Sequence, residues 1–177
     1  MSLLVLGLNH RTAPIEVRER IVFDAERLPR ALASLRALAG IAEALIVSTC
    51  NRTEIYCVGG AAESVAGWLV AESGGNQALA DCLYRVEGPH AVRHVFSVAA
   101  GLDSMILGEP QILGQLKDSY RAAQRAGTAG ANLNRLFQTT FTSLPPSRWE
   151  SSASCASSIS AQSAFPVSTC FRLRSGR

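Results

Sequence analysis

Ser48-Thr49-Cys50-Asn51-Arg52 places a thiol, a guanidinium and several hydroxyl and amide groups within one short polar stretch. The thiolate is the nucleophilic form of cysteine, and a nearby cation or backbone N–H groups favour it. Arg52 follows Cys50 by two residues and carries a permanent charge on a fork shaped for a carboxylate. These residue types offer a nucleophilic thiol beside a cation able to bind a carboxylate. A buried structural cysteine in a tight turn is the competing reading, although Thr, Asn and Arg are poor company for a core residue.

The stretch lies between two apolar runs. Ile41-Ala42-Glu43-Ala44-Leu45-Ile46-Val47 reads as a buried strand, and Thr53-Glu54-Ile55-Tyr56-Cys57-Val58 alternates polar and apolar as a half-exposed strand does. A short link between them puts Cys50 at the rim of a sheet. Upstream, Ser2 to Leu8 is short and wholly apolar, and Asn9 to Pro14 breaks it. Ile15 to Ile21 reads as a brief helix. Asp24 is placed to cap a helix from about Ala25 to Leu38, with Leu28, Leu32, Leu35 and Leu38 on one face and Gly40 at its end. Downstream of the link, Ala61 to Glu72 reads as a helix burying Val65, Trp68 and Leu69, and Leu83 to Val86 as a fourth strand. The order β-α-β-β-α-β predicts an α+β, ferredoxin-like antiparallel sheet with both helices on one face, closing near Glu87.

From Gly88 the pattern turns helical: Pro89 to Ala100, Gln111 to Ala126, and a third helix beginning at Ala131. A glycine- and proline-punctuated loop, 101–110, separates the first two. The chain therefore divides into a sheet domain over 1–87 carrying Cys50, a helical part over 88–141, and a tail over 142–177. The tail holds 11 serines, keeps no helical or strand period, and is expected to be disordered. A natural linker would explain it. The abrupt change of composition inside a continuing helix favours instead an out-of-frame end to a longer protein.

Charge follows the same division. Residues 1–141 carry 13 Lys+Arg against 13 Asp+Glu, so the whole net charge of +3 comes from Arg148, Arg172, Arg174 and Arg177 against Glu150. A generic polyanion or DNA binder is excluded for the folded part, because nothing there would release many counterions. No apolar run approaches the roughly 20 residues of a membrane span, and Met1 to Leu8 lacks a basic leader and a cleavage site. The five cysteines form no CxxC and no even framework, which points to reduced thiols and a cytoplasmic setting. His90 and His94, four apart, invite a zinc reading with Cys50. They come from unrelated stretches with no fourth ligand in view, so no metal is expected. His10 reads as structural, and Cys57 and Cys82 as core residues.

Four stretches together resemble the glutamyl-tRNA reductase family: Gly7-Leu8-Asn9-His10-Arg11-Thr12-Ala13-Pro14, Ser48 to Glu54, His94-Val95-Phe96, and AAGLDSMILGEPQILGQLK from Ala99 to Lys117. Order and spacing agree with the family over about residues 3–141. The resemblance implies that Cys50 is the nucleophile, attacking the ester that joins glutamate to the 3′ end of tRNA and forming a thioester. In the family NADPH then reduces the thioester to glutamate-1-semialdehyde, for tetrapyrrole and porphyrin biosynthesis. A thioester carbonyl accepts hydride more readily than an oxygen ester, so covalent catalysis divides one hard step into two.

The resemblance further implies a glutamate pocket made by Thr49, Cys50, Asn51, Arg52, Ser104, Glu109, Pro110, Gln111 and Gln115, with His94 important for activity. Without the resemblance, His94 reads as a helix histidine satisfied by a backbone carbonyl. Arg52 would clamp a carboxylate, Glu109 would meet the α-ammonium, and Gln111 and Gln115 share a helical face. The family continues into a glycine-rich nucleotide-binding domain and a helical dimerisation domain. No GxGxxG-like loop follows a strand in these 177 residues, so no NADPH site is expected in this chain, nor the family's homodimer; a monomer is expected. Three functions then compete: a truncated reductase that keeps the substrate step, an esterase that deacylates glutamyl-tRNA, and an inactive binding module.

Overall fold

The computed structural model describes residues 2–105 and 111–144. Four strands form one antiparallel sheet in the order β2-β3-β1-β4, where β1 is Leu3–Asn9, β2 Ile41–Ser48, β3 Arg52–Gly59 and β4 Tyr84–Glu87. Every neighbouring pair is antiparallel. With α2 (Leu28–Arg36) between β1 and β2 and α3 (Ala62–Glu72) between β3 and β4, this is the ferredoxin-like arrangement expected. The brief first helix is α1 (Ile15–Arg18), followed by a 3-10 turn over Glu19–Ile21.

Alternation along each strand sorts residues to two faces. Thr53 donates through Oγ1 to the Ile21 carbonyl at 2.8 Å, and Ser48 Oγ accepts from the Phe23 amide at 2.9 Å, so their face meets the 21–23 segment. Phe23 stacks on Trp68 of α3, whose indole N–H reaches Ser34 of α2 at 3.0 Å. Both crossover helices thus lie on that face. Arg52, Glu54 and Tyr56 point the opposite way.

That opposite face is covered too, and the half-exposed character expected of β3 is corrected here. Arg52 through Val58 are all buried. The covering comes from α5 (Gly88–Ala99), α6 (Gln111–Arg125) and α7 (Ala131–Ser143). Phe137 of α7 meets the Tyr56 ring edge-on at 5.6 Å and stacks on Tyr120 of α6 at 5.7 Å, joining helices and sheet through aromatic area. The polar alternation of β3 therefore marks buried polar groups, because helices from the second part of the chain close over the face that strand periodicity assigns to water.

Smaller differences have local causes. The Asp24 carboxylate accepts from the amides of Glu26 and Arg27 at 3.1 and 2.8 Å, capping a turn, and the helix proper begins at Leu28 with Pro29 in its first turn. Asn76 caps a short helix, α4 (Gln77–Ala80), that periodicity could not announce in four residues. Helix α7 runs two residues past Phe141 to Ser143. The disorder expected of the tail falls on residues 145–177, which lie outside the described ones, as does Met1. Among the described residues no helix is long and apolar enough to cross a membrane.

Helix α7 is anchored by a carboxylate from the sheet. Glu43 of β2 accepts from the Asn132 and Leu133 amides at 3.0 and 2.7 Å and from the Asn132 side chain at 2.7 Å. A Cβ on Gly130 would stand 2.6 Å from the Glu43 carboxyl carbon, so glycine makes room for this cap. Burial pushes the carboxyl up, yet the bonds from Leu133 and Asn132 outweigh it and hold its pKa below the ordinary range. Glu43→Ala is expected to lower unfolding free energy by about 3 kcal/mol, the scale of losing charged hydrogen bonds to buried amides. Because the folded pKa is depressed, the contribution is full above the unfolded value of about 4.3 and fades as pH falls through the folded one. Urea midpoints of parent and variant should therefore differ most near neutral pH and converge in acid.

Candidate functional site

The link between β2 and β3 is three residues long, Thr49 to Asn51, and Cys50 at its centre is exposed. Thr49 shapes it: its amide donates to the Arg52 carbonyl at 2.8 Å, and its hydroxyl accepts from the Asn51 and Arg52 amides, each at 3.2 Å. The stretch after β1 buttresses it from the side. The His10 amide donates to the Asn51 carbonyl at 2.9 Å, and Asn9 folds that stretch by accepting from the amides of Arg11 and Thr12 at 2.9 and 3.2 Å. The other described cysteines are Cys57, buried with its thiol pushed up to about 12 by burial, and Cys82, half-buried.

The cation that touches the link is Arg18, a residue absent from the expectations. Its Nη1 donates to the Cys50 carbonyl at 2.6 Å and lies 3.4 Å from the Asn51 side-chain oxygen. Arg52, expected to serve as that cation, turns away from the link into the sheet–helix interface, with only 2% of its surface exposed. Its Nη1 donates to Glu54 Oε1 at 2.6 Å, and its Nη2 donates to the Asp103 carbonyl and, at 3.2 Å, to the Asp103 carboxylate. The reason is positional: Arg52 is the first residue of β3, and pleating sends its side chain to the helix-covered face.

Glu54 is the centre of the buried cluster. Besides Arg52, Oε1 accepts from the Tyr84 hydroxyl and faces His94 Nε2 at 3.1 Å, while Oε2 accepts from the Tyr56 hydroxyl. Burial alone would raise the Glu54 pKa; His94 and Arg52 override it and hold the carboxylate ionised well below its ordinary range. Burial likewise opposes the imidazolium of His94, but Glu54 prevails and its pKa is raised. Both tyrosines are pushed well above their usual value, by burial and then by the Glu54 charge. His10 shifts the other way: burial, then Arg11 and Arg52, lower its pKa.

His94, expected to be important for activity, is bonded to a carboxylate rather than to a backbone carbonyl. Ser104 is buried close to Asp103, whose carboxylate also pairs with Arg11 at 3.1 Å. Gln111 and Gln115 are exposed on α6. Gln115 lines a cleft between α6 and the 23–29 segment, with Phe23, Leu28, Asp118 and Arg125, and Ser48 at the foot of the Cys50 link closes it. Glu109 and Pro110 lie outside the described residues. The zinc grouping does not form: His90 is exposed, and His94 Nε2 is committed to Glu54. Glu54, His94 and Asp103 do present ligand atoms within 4.8 Å of one another, but the Arg52 guanidinium already sits between the two carboxylates as their cation.

One glycine pair follows a strand and opens a helix, Gly59-Gly60 before α3, both with positive φ. It does not fit a dinucleotide phosphate. A Cβ on Gly59 would stand 2.4 Å from the Gly40 carbonyl oxygen and one on Gly60 2.6 Å from the Ile41 side chain, so the turn is filled by its own protein.

Glu54, Tyr56, Tyr84, Asp103 and Arg18 escaped the sequence reading. The signal for the first two was present, since Arg52, Glu54 and Tyr56 recur at the two-residue period of one strand face. Nothing comparable marks Arg18, which the fold brings to Cys50 from 32 residues away.

Comparison with known proteins gives consistent results. Residues 6–151 match the family model described as Glutamyl-tRNAGlu reductase, N-terminal domain. Over 141 residues, 80% of the chain, it is 55% identical to a glutamyl-tRNA reductase of Xanthomonas campestris pv. phaseoli and 56% to one of Stenotrophomonas maltophilia (strain K279a). The fold is similar to the glutamyl-tRNA reductase from Methanopyrus kandleri, with a TM-score of 0.63 and 33% identity over 78% of this chain. The chain spans about a third of the length of these relatives, 32% in each case.

Proposed function

The chain belongs to the glutamyl-tRNA reductase family through its N-terminal domain, and from that premise we propose that it performs the family's substrate step, transfer of glutamate from tRNA to Cys50. The observation that carries this reading is the position of the thiol. Cys50 is the exposed one of the three described cysteines, and it sits on a pinned three-residue link whose next residue, Arg52, enters a buried cluster of charged and phenolic groups.

In that step the Cys50 sulfur, its proton lost to solvent or a base, attacks the ester carbonyl and a C–S bond forms. Collapse of the adduct breaks the C–O bond, and the departing ribose hydroxyl takes up a proton. A thioester and free tRNA result. Thr49 and Asn51 shape the approach. Arg52, though 2% exposed, keeps N–H groups beyond those given to Glu54 and Asp103, since a guanidinium has five. These are the proposed donors to a glutamate carboxylate, which must reach below the surface to meet them. The family resemblance assigns Ser104, Glu109, Pro110, Gln111 and Gln115 to the same pocket, and His94 presents a ring held by Glu54 at 3.1 Å, which raises its pKa. NADPH supplies hydride to the thioester in the family; the Gly59-Gly60 turn does not fit it, and no reducing step is assigned to the described residues.

Incubating the 177-residue chain with glutamyl-tRNA should add one glutamyl group to its intact mass. With NADPH present, no glutamate-1-semialdehyde should form. Absence of the adduct would refute the reading, and robust semialdehyde would refute its restriction to the first step. Exposure of Cys50 favours a second outcome worth measuring, slow attack of water on the thioester. An adduct that decays with release of free glutamate would make the chain a glutamyl-tRNA esterase.

A further inference from the structure

Glu54 offers no surface to solvent or substrate, yet it contacts both side chains through which the site is proposed to work. One carboxylate engages the Arg52 guanidinium at 2.6 Å, His94 Nε2 at 3.1 Å and the hydroxyls of Tyr56 and Tyr84. These partners come from three elements, β3, β4 and α5. Gly7 on the paired strand β1 stands directly opposite Glu54, and its missing side chain leaves room for the Glu54 backbone and Cγ. Such a cluster is a poor device for stability alone, because well-packed apolar residues of similar volume often serve as well as a buried ion pair or better. It is a good device for orientation, since each partner is fixed by a directional bond to the same two oxygens.

We propose that Glu54 is the positioning residue of this site, holding the Arg52 guanidinium and the His94 ring in fixed register with the Cys50 link. This rests on the proposed acyl transfer to Cys50. Glu54 does not touch the reacting atoms; it acts through its two basic partners. Tyr56 and Tyr84 in turn hold Glu54, each donating to the carboxylate and leaving it no freedom to rotate. The groups facing His94 are Glu54 and Arg52 from β3, Tyr84 from β4, whose ring lies 5.6 Å away, and Asp103 from the segment after α5. Of these, Glu54 alone bonds the ring nitrogen in the structure.

The test is Glu54→Gln in the full chain, read in two ways. Ring NMR of His94, with His10 and His90 as internal references, should show its titration moving downward relative to the parent. Acylation of Cys50 by glutamyl-tRNA should fall roughly a hundredfold at pH 8, the cost of misplacing a site group by about an ångström. The deficit should narrow only in acid, below the ordinary histidine value of about 6.5, because burial and Arg52 oppose the His94 proton once Glu54 no longer favours it. A merely structural role would lower the rate equally at all pH. Parallel pH profiles, an unchanged rate or an unmoved His94 titration would each overturn the proposal.

Should Glu54→Gln fail to fold, Glu54→Asp keeps the charge and shortens its reach. Acylation should then fall with no recovery in acid, and an unchanged rate would overturn the proposal. If the parent itself is not acylated, the proposed function fails, while the His94 titration still decides whether Glu54 governs that ring.

Discussion

Cys50→Ser is expected to abolish the glutamyl adduct completely while leaving the fold intact. Oxygen replaces sulfur on an exposed side chain whose surroundings are backbone bonds from Thr49, His10 and Arg18, and none of these contacts involves the thiol. Stability should therefore change by no more than about 0.5 kcal/mol, as for ordinary surface substitutions. Reactivity changes far more, because a serine hydroxyl ionises much less readily than a thiol and has no positioned base shown to activate it. Glutamyl-tRNA should still bind, since the groups proposed to recognise glutamate remain. Intact mass before and after incubation, followed by peptide mapping, checks this. An adduct persisting in Cys50→Ser, or mapping to Cys57 or Cys82, would remove the nucleophile assignment. Burial and a thiol pKa pushed up to about 12 argue strongly against Cys57.

The second large effect is on stability. Gly7→Ala should destabilise the domain by about 3 kcal/mol, the upper part of the range for overpacking. A methyl group there would stand 2.5 Å from the Thr53 carbonyl oxygen and 2.9 Å from the Glu54 Cα, both backbone atoms of the paired strand. Neither can withdraw without parting β1 from β3 at the centre of the sheet. The same methyl would press on Glu54 Cγ at 2.9 Å and tilt the carboxylate that holds Arg52 and His94. Gly67→Ala supplies the contrast. Gly67 lies exposed within α3 with nothing within 4 Å of a Cβ, so alanine there should stabilise by about 1 kcal/mol through helix propensity. Urea midpoints of the two variants should move in opposite directions. A Gly7→Ala variant as stable as the parent would show that the β1–β3 contact yields more easily than its geometry implies.

The domain's order of elements was legible because each crossover helix and strand carries its own period. Leu28, Leu32 and Leu35 mark α2, and the apolar runs of Leu3 to Leu8 and, broken only by Glu43, Ile41 to Val47 mark strands covered on both faces. A polar interruption between two strand runs located the Cys50 link, since a turn needs residues whose polar groups can satisfy its backbone. The motifs also sufficed to identify the family, whose model matches 6–151.

What the sequence left undetermined is what lies on each side of β3. Alternation states which residues share a face, but not whether water or other helices cover that face. The cover came from α5, α6 and α7, whose docking buried Arg52, Glu54 and Tyr56 and turned an apparent solvent face into a charge cluster. For the same reason the cation at the Cys50 carbonyl proved to be Arg18 rather than the nearby Arg52. Adjacent residues in a strand point to opposite sides, while long-range packing brings distant side chains to one point. Local period follows from backbone geometry alone; side-chain company depends on how separate elements pack, and only the tertiary structure decides it.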